Sequence, residues 1–248
     1  MSFNWINWDH PLVRAHDYRP DIERTIALWR RYIKPGDHCV DVGAWIGDTT
    51  VAMSVLSGAS GYVSAFEPNP GAFKVLQQNV KQPAECAPIV AHMFGISDRE
   101  GPATFHYCDA GFLNGGALLL GRELLIKHTF PLEVQVARLD AHLTPKVRFI
   151  KLDTEGNDLR ILKDNEAFLR QWRPVVQFEL YPDATRAERQ EHIDFLAAIG
   201  YRFEFDGTPV DDLGKLLDQH IVDIVAICAN PFTRPIGSAT ESNSWPTC

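Results

Sequence analysis

Three ionisable residues alternate in the run FIKLDTEG: Lys151, Asp153 and Glu155. In an extended strand these side chains share one face. A lysine and two acids on one face of a central strand are costly unless paired or put to use. Upstream, HCVDVGAWIGDTT sets Asp41 before two glycines, Gly43 and Gly47, and Thr49 just after them. Glycine permits positive φ and lets a backbone touch a ligand. A third run, AFEPNP, carries Glu67, Pro68 and Asn69. An acid at the end of a second strand can accept hydrogen bonds from both hydroxyls of a ribose.

These runs need elements to hold them. His38–Val42 is a short buried strand, Asp48–Leu56 a helix, and Tyr62–Phe66 a second strand. Asn69-Pro70 caps the next helix, with Phe73, Leu76 and Val80 on its apolar face. Ile22, Ile26, Trp29 and Ile33 recur at helical spacing before Pro35-Gly36 stops that helix. Pro88–Phe94, Arg148–Asp153, Val175–Leu180, Tyr201–Phe205 and Ile221–Ala229 complete the strands. Helices are expected at Asp158–Trp172 and Arg186–Ile199, the latter with Thr185 and Glu188 at capping-box spacing. Strands alternating with helices predict an α/β fold with a mostly parallel sheet. Residues 101–140 break the alternation with two strand-like runs, Ala103–Cys108 and Leu132–Leu139, around the glycine-rich FLNGGALLLG. They read as an inserted β-rich excursion. The expected organisation is an N-terminal arm over 1–20, one domain over 21–233 and a loose tail over 234–248.

The crevice outside the strand ends of an open α/β sheet takes the ligand. A dinucleotide needs G-x-G-x-x-G and room for a pyrophosphate; here the pattern is D-x-G-x-x-x-G, with Ala44 and Trp45 inside it. No lysine follows the glycines, so a P-loop is excluded. S-adenosylmethionine carries no phosphate. Its cationic methionine end suits an acid before the turn, and its ribose suits Glu67. Gly95, Ile96 and Ser97 follow the third strand where an adenine would lie, with Asp98 beside them.

The chain resembles the FkbM-type S-adenosylmethionine-dependent methyltransferases. VDVGAWIGDTT, FEPNP, GISDREG, ARLD, FIKLDTEGNDLRILK and VVQFEL carry the resemblance, in that order, over residues 37–180. FIKLDTEG is its most specific piece. The family often has Asn where this chain has Trp45, and Glu in the helix start where it has Asn157-Asp158. The resemblance implies a Rossmann-like sheet of seven strands with helices on both faces and an antiparallel last strand. It also implies O-methylation of sugars or natural products.

Methyl transfer to oxygen needs an aligned acceptor, exclusion of water and removal of a hydroxyl proton. Asp153 is the first candidate for base or acceptor-orienting group, and it also borders the expected sulfonium site. Lys151 could keep that carboxylate ionised or neutralise a developing alkoxide. Glu155 and Glu179 are second choices, and Asp140 is expected at the same sheet edge. An internal salt-bridge cluster is the plainer reading of these charges. The acids would accept a hard cation, but no spacing demands one and no metal is expected. FLNGGALLLG reads either as a lid, with Asn114 as a polar contact, or as a surface loop. His106, His128 and His142 read as surface or structural histidines. The aromatic arm, with Trp5, Trp8, His10 and Pro11, folds over the crevice, joins two copies of the chain, or packs on the first helix.

Composition sets the outer bounds. The chain has 248 residues, 45% apolar and 23% charged, enough for a sizeable core. A net charge of −8 argues against nucleic acid and anionic membrane as partners, so the expected partner is a small-molecule or sugar acceptor. Five cysteines, Cys39, Cys86, Cys108, Cys228 and Cys248, show no paired or metal-ligand spacing. With no signal-like start, the cytoplasm is the expected location. The alternatives to O-methylation are methylation of nitrogen or of RNA, or a non-catalytic nucleoside-binding module.

Overall fold

The computed structural model describes residues 2–5, 16–107, 130–181, 184–218 and 223–228. The expected lid with Asn114, together with His128, Trp8, His10, Pro11 and the tail, lies outside them.

The chain order is α1 (Arg19–Trp29), β1 (His38–Val42), α2 (Asp48–Ser57), β2 (Tyr62–Phe66), α3 (Pro70–Asn79) and β3 (Ile89–His92). Then come β4 (Gly95–Ile96), β5 (Gly101–Tyr107), β6 (Phe130–Ala137), β7 (Val147–Leu152), α4 (Asp158–Asp164) and α5 (Glu166–Trp172). β8 (Val175–Glu179), α6 (Arg186–Ala198), β9 (Tyr201–Phe205), β10 (Thr208–Pro209) and β11 (Asp223–Cys228) complete it. The main sheet runs β10-β9-β11-β8-β7-β1-β2-β3, and β4-β6-β5 form a second, small sheet. Strands β3, β2, β1, β7 and β8 are parallel, while β11 is antiparallel to both neighbours. This is the Rossmann-like arrangement expected, with eight strands in place of seven. The extra one is two residues long and folds back on β9 through a turn in which Asp206 and Gly207 both have positive φ.

Strand alternation assigns each face its core. Along β1, Cys39 packs with Ile22, Ile26 and Trp29 of α1 and with Val51 and Val55 of α2. Val40 and Val42 face the other way, toward Ile161 and Leu162 of α4 and Ile193 and Leu196 of α6. Thr185 and Glu188 form the capping box that starts α6. The helix expected over Asp158–Trp172 is instead two short helices. Asn165 breaks it: its backbone leaves helical geometry while its side-chain Nδ2 donates to the Ile161 carbonyl at 2.8 Å. Asparagine's short amide competes with the helix ladder in this way. Among the described residues no helix is long and apolar enough to cross a membrane.

Candidate functional site

Register brings three strand tips level. Val42 of β1 stands opposite Phe66 of β2 on one side and Leu152 of β7 on the other. The next residues, Gly43, Glu67 and Asp153, therefore emerge together at the carboxyl edge. All three line a cavity of about 290 Å³. Its apolar wall is Phe66 and Ile96 with Phe105 and Tyr107 of β5. Trp45, Pro68 and Asn69 close one side, and Thr154, Glu155 and Asn157 the other. Glu67, Asp153 and Glu155 are the only charged side chains in this lining among the described residues.

The two glycines answer first to the chain itself. Gly43 has φ +78°, and a Cβ there would lie 1.9 Å from the Asp153 carbonyl oxygen. Gly47, at φ +96°, leaves room for the Leu76 side chain of α3. The turn is thus pressed against β7 and α3, with Gly43 at the cavity wall.

Asp41 sits two residues below the level at which Gly43, Glu67 and Asp153 emerge, and that depth decides its surroundings. It is level with Lys151 across β1 and β7 and points to the α2 face. Its Oδ2 accepts the Thr49 and Thr50 hydroxyls at 2.9 and 2.6 Å, and Lys151 Nζ lies 3.6 Å from Oδ1. Its carboxylate is fully buried and does not reach the cavity. The expectation that Asp41 meets a cationic ligand end in the crevice differs from this placement: its Oδ2 is taken by two threonines, its Oδ1 faces Lys151, and neither oxygen lines the cavity. Thr49 is spent on Asp41, and Ala44 and Gly47 are buried behind the turn.

Lys151 bridges the layers. Its ammonium is 3.2 Å from Asp153 Oδ2 and donates to the Gly43 carbonyl at 3.3 Å. Burial opposes its charge, but the carboxylates of Asp153, Asp41 and Asp48 outweigh burial and hold the lysine well above its ordinary range. The salt-bridge cluster weighed from sequence is present, and Asp153 nonetheless remains in the cavity wall.

The strand does not stay extended to Glu155. β7 ends at Leu152, and Glu155 and Gly156 take positive φ of 54° and 96°. Asp158 holds this turn by accepting the Thr154 N–H at 3.0 Å and the Glu179 N–H at 2.8 Å. Asp153 and Glu155 still share the cavity, through the turn and not through strand alternation. Burial, then the charges of Asp153 and Asp158, push Glu155 up to about 7. Glu179 lies behind the wall at the end of β8, pushed up to about 9 by burial and by Asp153, Glu155, Asp158 and Asp223. Asp140 is not at this edge; it opens the turn between β6 and β7, half-exposed, and pairs with Arg138 at 3.1 Å.

Glu67 is buried at the cavity wall. Its Oε2 accepts the Trp45 N–H and its Oε1 the Asn69 N–H, both at 2.8 Å. Burial lifts it to about 7 against these two bonds. Each oxygen keeps a lone pair for a further donor. Asn69 also caps α3 through Oδ1, 2.8 Å from the Gly71 nitrogen. Ile96 lines the cavity, whereas Ser97 is buried outside it and bonds Asp98 at 3.1 Å.

Phe105, Tyr107 and Thr154 join the wall without having been singled out from sequence, while Gly95 lines it as expected beside Ile96. The alternation Ala103, Phe105, Tyr107 in β5 marks one face of that strand as buried, but what it covers depends on the small sheet's docking. Among the described residues no group of three or more His, Cys, Asp or Glu is arranged to hold a metal.

The donor fits these residues. An apolar wall suits an adenine ring, Glu67 offers two acceptor oxygens for ribose hydroxyls, and the acidic lining suits a sulfonium while repelling phosphate. The methyltransferase FkbM domain model matches residues 41–203. No curated protein matches the chain. Among solved structures, methyltransferase FkbM from Methylobacillus flagellatus KT shares 14% identity at TM-score 0.49, over 85% of this chain and 55% of that one. The chain thus spans little more than half of that relative's length. Aeropyrum pernix fibrillarin with natively bound S-adenosyl-L-methionine shares 14% identity at TM-score 0.47, over 85% and 75% of the two chains. A SAM-dependent O-methyltransferase from Thermotoga maritima shares 14% at 0.45, over 86% and 66%. With the domain model covering most of its length, the chain belongs to the FkbM family of S-adenosylmethionine-dependent methyltransferases.

Proposed function

We propose that the chain methylates a hydroxyl oxygen of a small molecule, a sugar or natural product, with Glu67 holding the donor's ribose and Asp153 facing the acceptor. One observation carries this reading. Register delivers Glu67 and Asp153 to the same cavity from the two strands flanking β1. The distance across one strand separates a donor-binding carboxylate from a second carboxylate placed to meet a hydroxyl.

Bound S-adenosylmethionine supplies a methyl group on a sulfonium, which is a good leaving group. The chain's residues do the rest. Lys151 holds Asp153 in place by an ion pair, so that its carboxylate faces the acceptor hydroxyl. Glu155, at about 7, is the second group able to take that proton near neutral pH. The apolar wall of Phe66, Ile96, Phe105 and Tyr107 keeps water from competing. The new bond is acceptor O–CH₃, the broken bond S–CH₃, and the proton passes to a carboxylate. The all-acidic lining and the net charge of −8 favour small acceptors over nucleic acid.

The test uses labelled S-adenosylmethionine with a panel of sugars, natural-product alcohols, amines and RNA. Label is expected on a hydroxyl of a small acceptor. Asp153→Ala is expected to lower turnover by about 10²-fold or more, the usual worth of a general base, with donor affinity nearly unchanged. Transfer only to RNA or to nitrogen would sink the reading.

A further inference from the structure

Residues that precede the family-matched segment reach the turn between β1 and α2. Trp45, in that turn, lines the cavity and holds φ +47°, a left-handed conformation that a side chain with a Cβ resists. Its N–H nevertheless points to Glu67 Oε2 at 2.8 Å. A turn under this strain needs outside support to keep one shape.

Tyr18 meets the Trp45 ring edge-on, with centroids 5.6 Å apart and planes at 74°. That is the favoured geometry for an aromatic pair. Trp5 stands behind Tyr18 at 5.9 Å. All three rings pack on Ile46 of the turn and on Ala72 and Val75 of α3. The outer ring is itself fixed. Asn4 donates its N–H to Gln82 Oε1 at 3.0 Å and its Nδ2–H to the Lys81 carbonyl at 2.8 Å, and Gln82 Nε2 donates to the Asn4 carbonyl at 2.8 Å. Tyr18 is tied to α1, whose Ile22, Ile26 and Trp29 are core residues. The brace therefore joins α1 to the segment that follows α3, across the strained residue.

We propose that Tyr18, backed by Trp5, is a positioning residue for the donor. It braces Trp45 in its left-handed conformation, so that the Trp45 N–H keeps the Glu67 carboxylate aimed at the cavity. This rests on the assignment of Glu67 to the donor's ribose. The arm is then a working part of the donor site although it lies outside the segment, residues 41–203, that defines the family.

The experiment is calorimetric titration of the full chain with S-adenosylhomocysteine. Tyr18→Leu is expected to raise the dissociation constant about fivefold, and Tyr18→Phe, which keeps the ring, less than twofold. Leu28→Ala serves as the control for instability alone. It removes a side chain packed on the same core layer, ten residues beyond Tyr18 at the far end of α1, and should lower the melting temperature without moving the constant. Glycine accepts the turn's backbone conformation unaided. In a Trp45→Gly background, Tyr18→Leu should therefore have no further effect. If Tyr18→Leu does not yield folded protein, Trp5→Leu is expected to raise the constant about threefold. An unchanged constant in Tyr18→Leu (or in Trp5→Leu where that is the variant read), or the same loss with and without Trp45, overturns the brace. A wild-type chain that does not bind S-adenosylhomocysteine at all overturns the donor assignment instead, so the two failures are distinguishable.

Discussion

Glu67 links donor binding to pH. Burial raises its carboxyl to about 7 from an ordinary 4.5. At neutral pH the free protein therefore holds it about half protonated. Two ribose hydroxyls need an acceptor that does not compete as a donor, and only the ionised carboxylate offers all its lone pairs. Binding must then expel the proton, and affinity must fall where the proton is hard to remove. For a group at about 7, the dissociation constant should be about twofold above its plateau at pH 7 and roughly tenfold above it at pH 6, since one pH unit below the pKa is a factor of ten. Calorimetry of S-adenosylhomocysteine binding in buffers of different ionisation enthalpy reads the same event directly, as about half a proton released per ligand at pH 7. Glu67→Gln removes the titration and should give weak binding with a flat profile. Glu155, also near 7, titrates in the same window; the Gln variant separates the two. A flat wild-type profile between pH 6 and 8, or the same slope in Glu67→Gln, refutes the ribose assignment. The sign for stability is opposite to that for binding. The unfolded chain loses the Glu67 proton first, so stability of the free protein should fall as pH rises from about 4.5 to about 7 and then level.

Lys151→Met leaves Asp41 buried without its cation and should cost about 3–5 kcal/mol by urea denaturation; Asp41→Asn added to it should recover much of that loss, and a double variant no more stable than the single would count against the pair. Gly43→Ala places a methyl group 1.9 Å from the Asp153 carbonyl, at a φ that itself costs about 1–2 kcal/mol. It should not accumulate as folded protein, and a normal circular-dichroism melt would contradict the packing described. Asn69→Ala removes the α3 cap and should lower stability by about 1 kcal/mol, visible as a shift in the denaturation midpoint; because Asn69 also borders the cavity, donor affinity should drop with it.

Much of this was legible locally. The β1–turn–α2 unit, β2 and the Asn69 cap each depend on residues within a few positions of one another, and their expected bounds agree with the structure closely. The family motifs sit in the same local units, which is why FIKLDTEG and FEPNP pointed to the sheet edge that carries the cavity. The misses share a cause. The helix after β7 breaks because one asparagine side chain takes the Ile161 carbonyl, a choice that periodicity does not register. Glu155 leaves the strand because the turn is tied by Asp158 to the end of β8, 21 positions away. Phe105 and Tyr107 reach the cavity only because a second sheet docks above the first.

The residues alone determined an alternating α/β chain, a strained glycine turn after its first strand, and a concentration of acids near several strand ends. Periodicity, capping and turn chemistry are short-range, and a sequence carries them without folding. Which acids face the cavity was decided by tertiary structure. A two-residue difference in height along β1 sinks Asp41 against Lys151 and two threonines, while Glu67 and Asp153, level with Gly43, open into the cavity. Strand order and register are sums over contacts between distant segments, and burial and charge pairing follow from them.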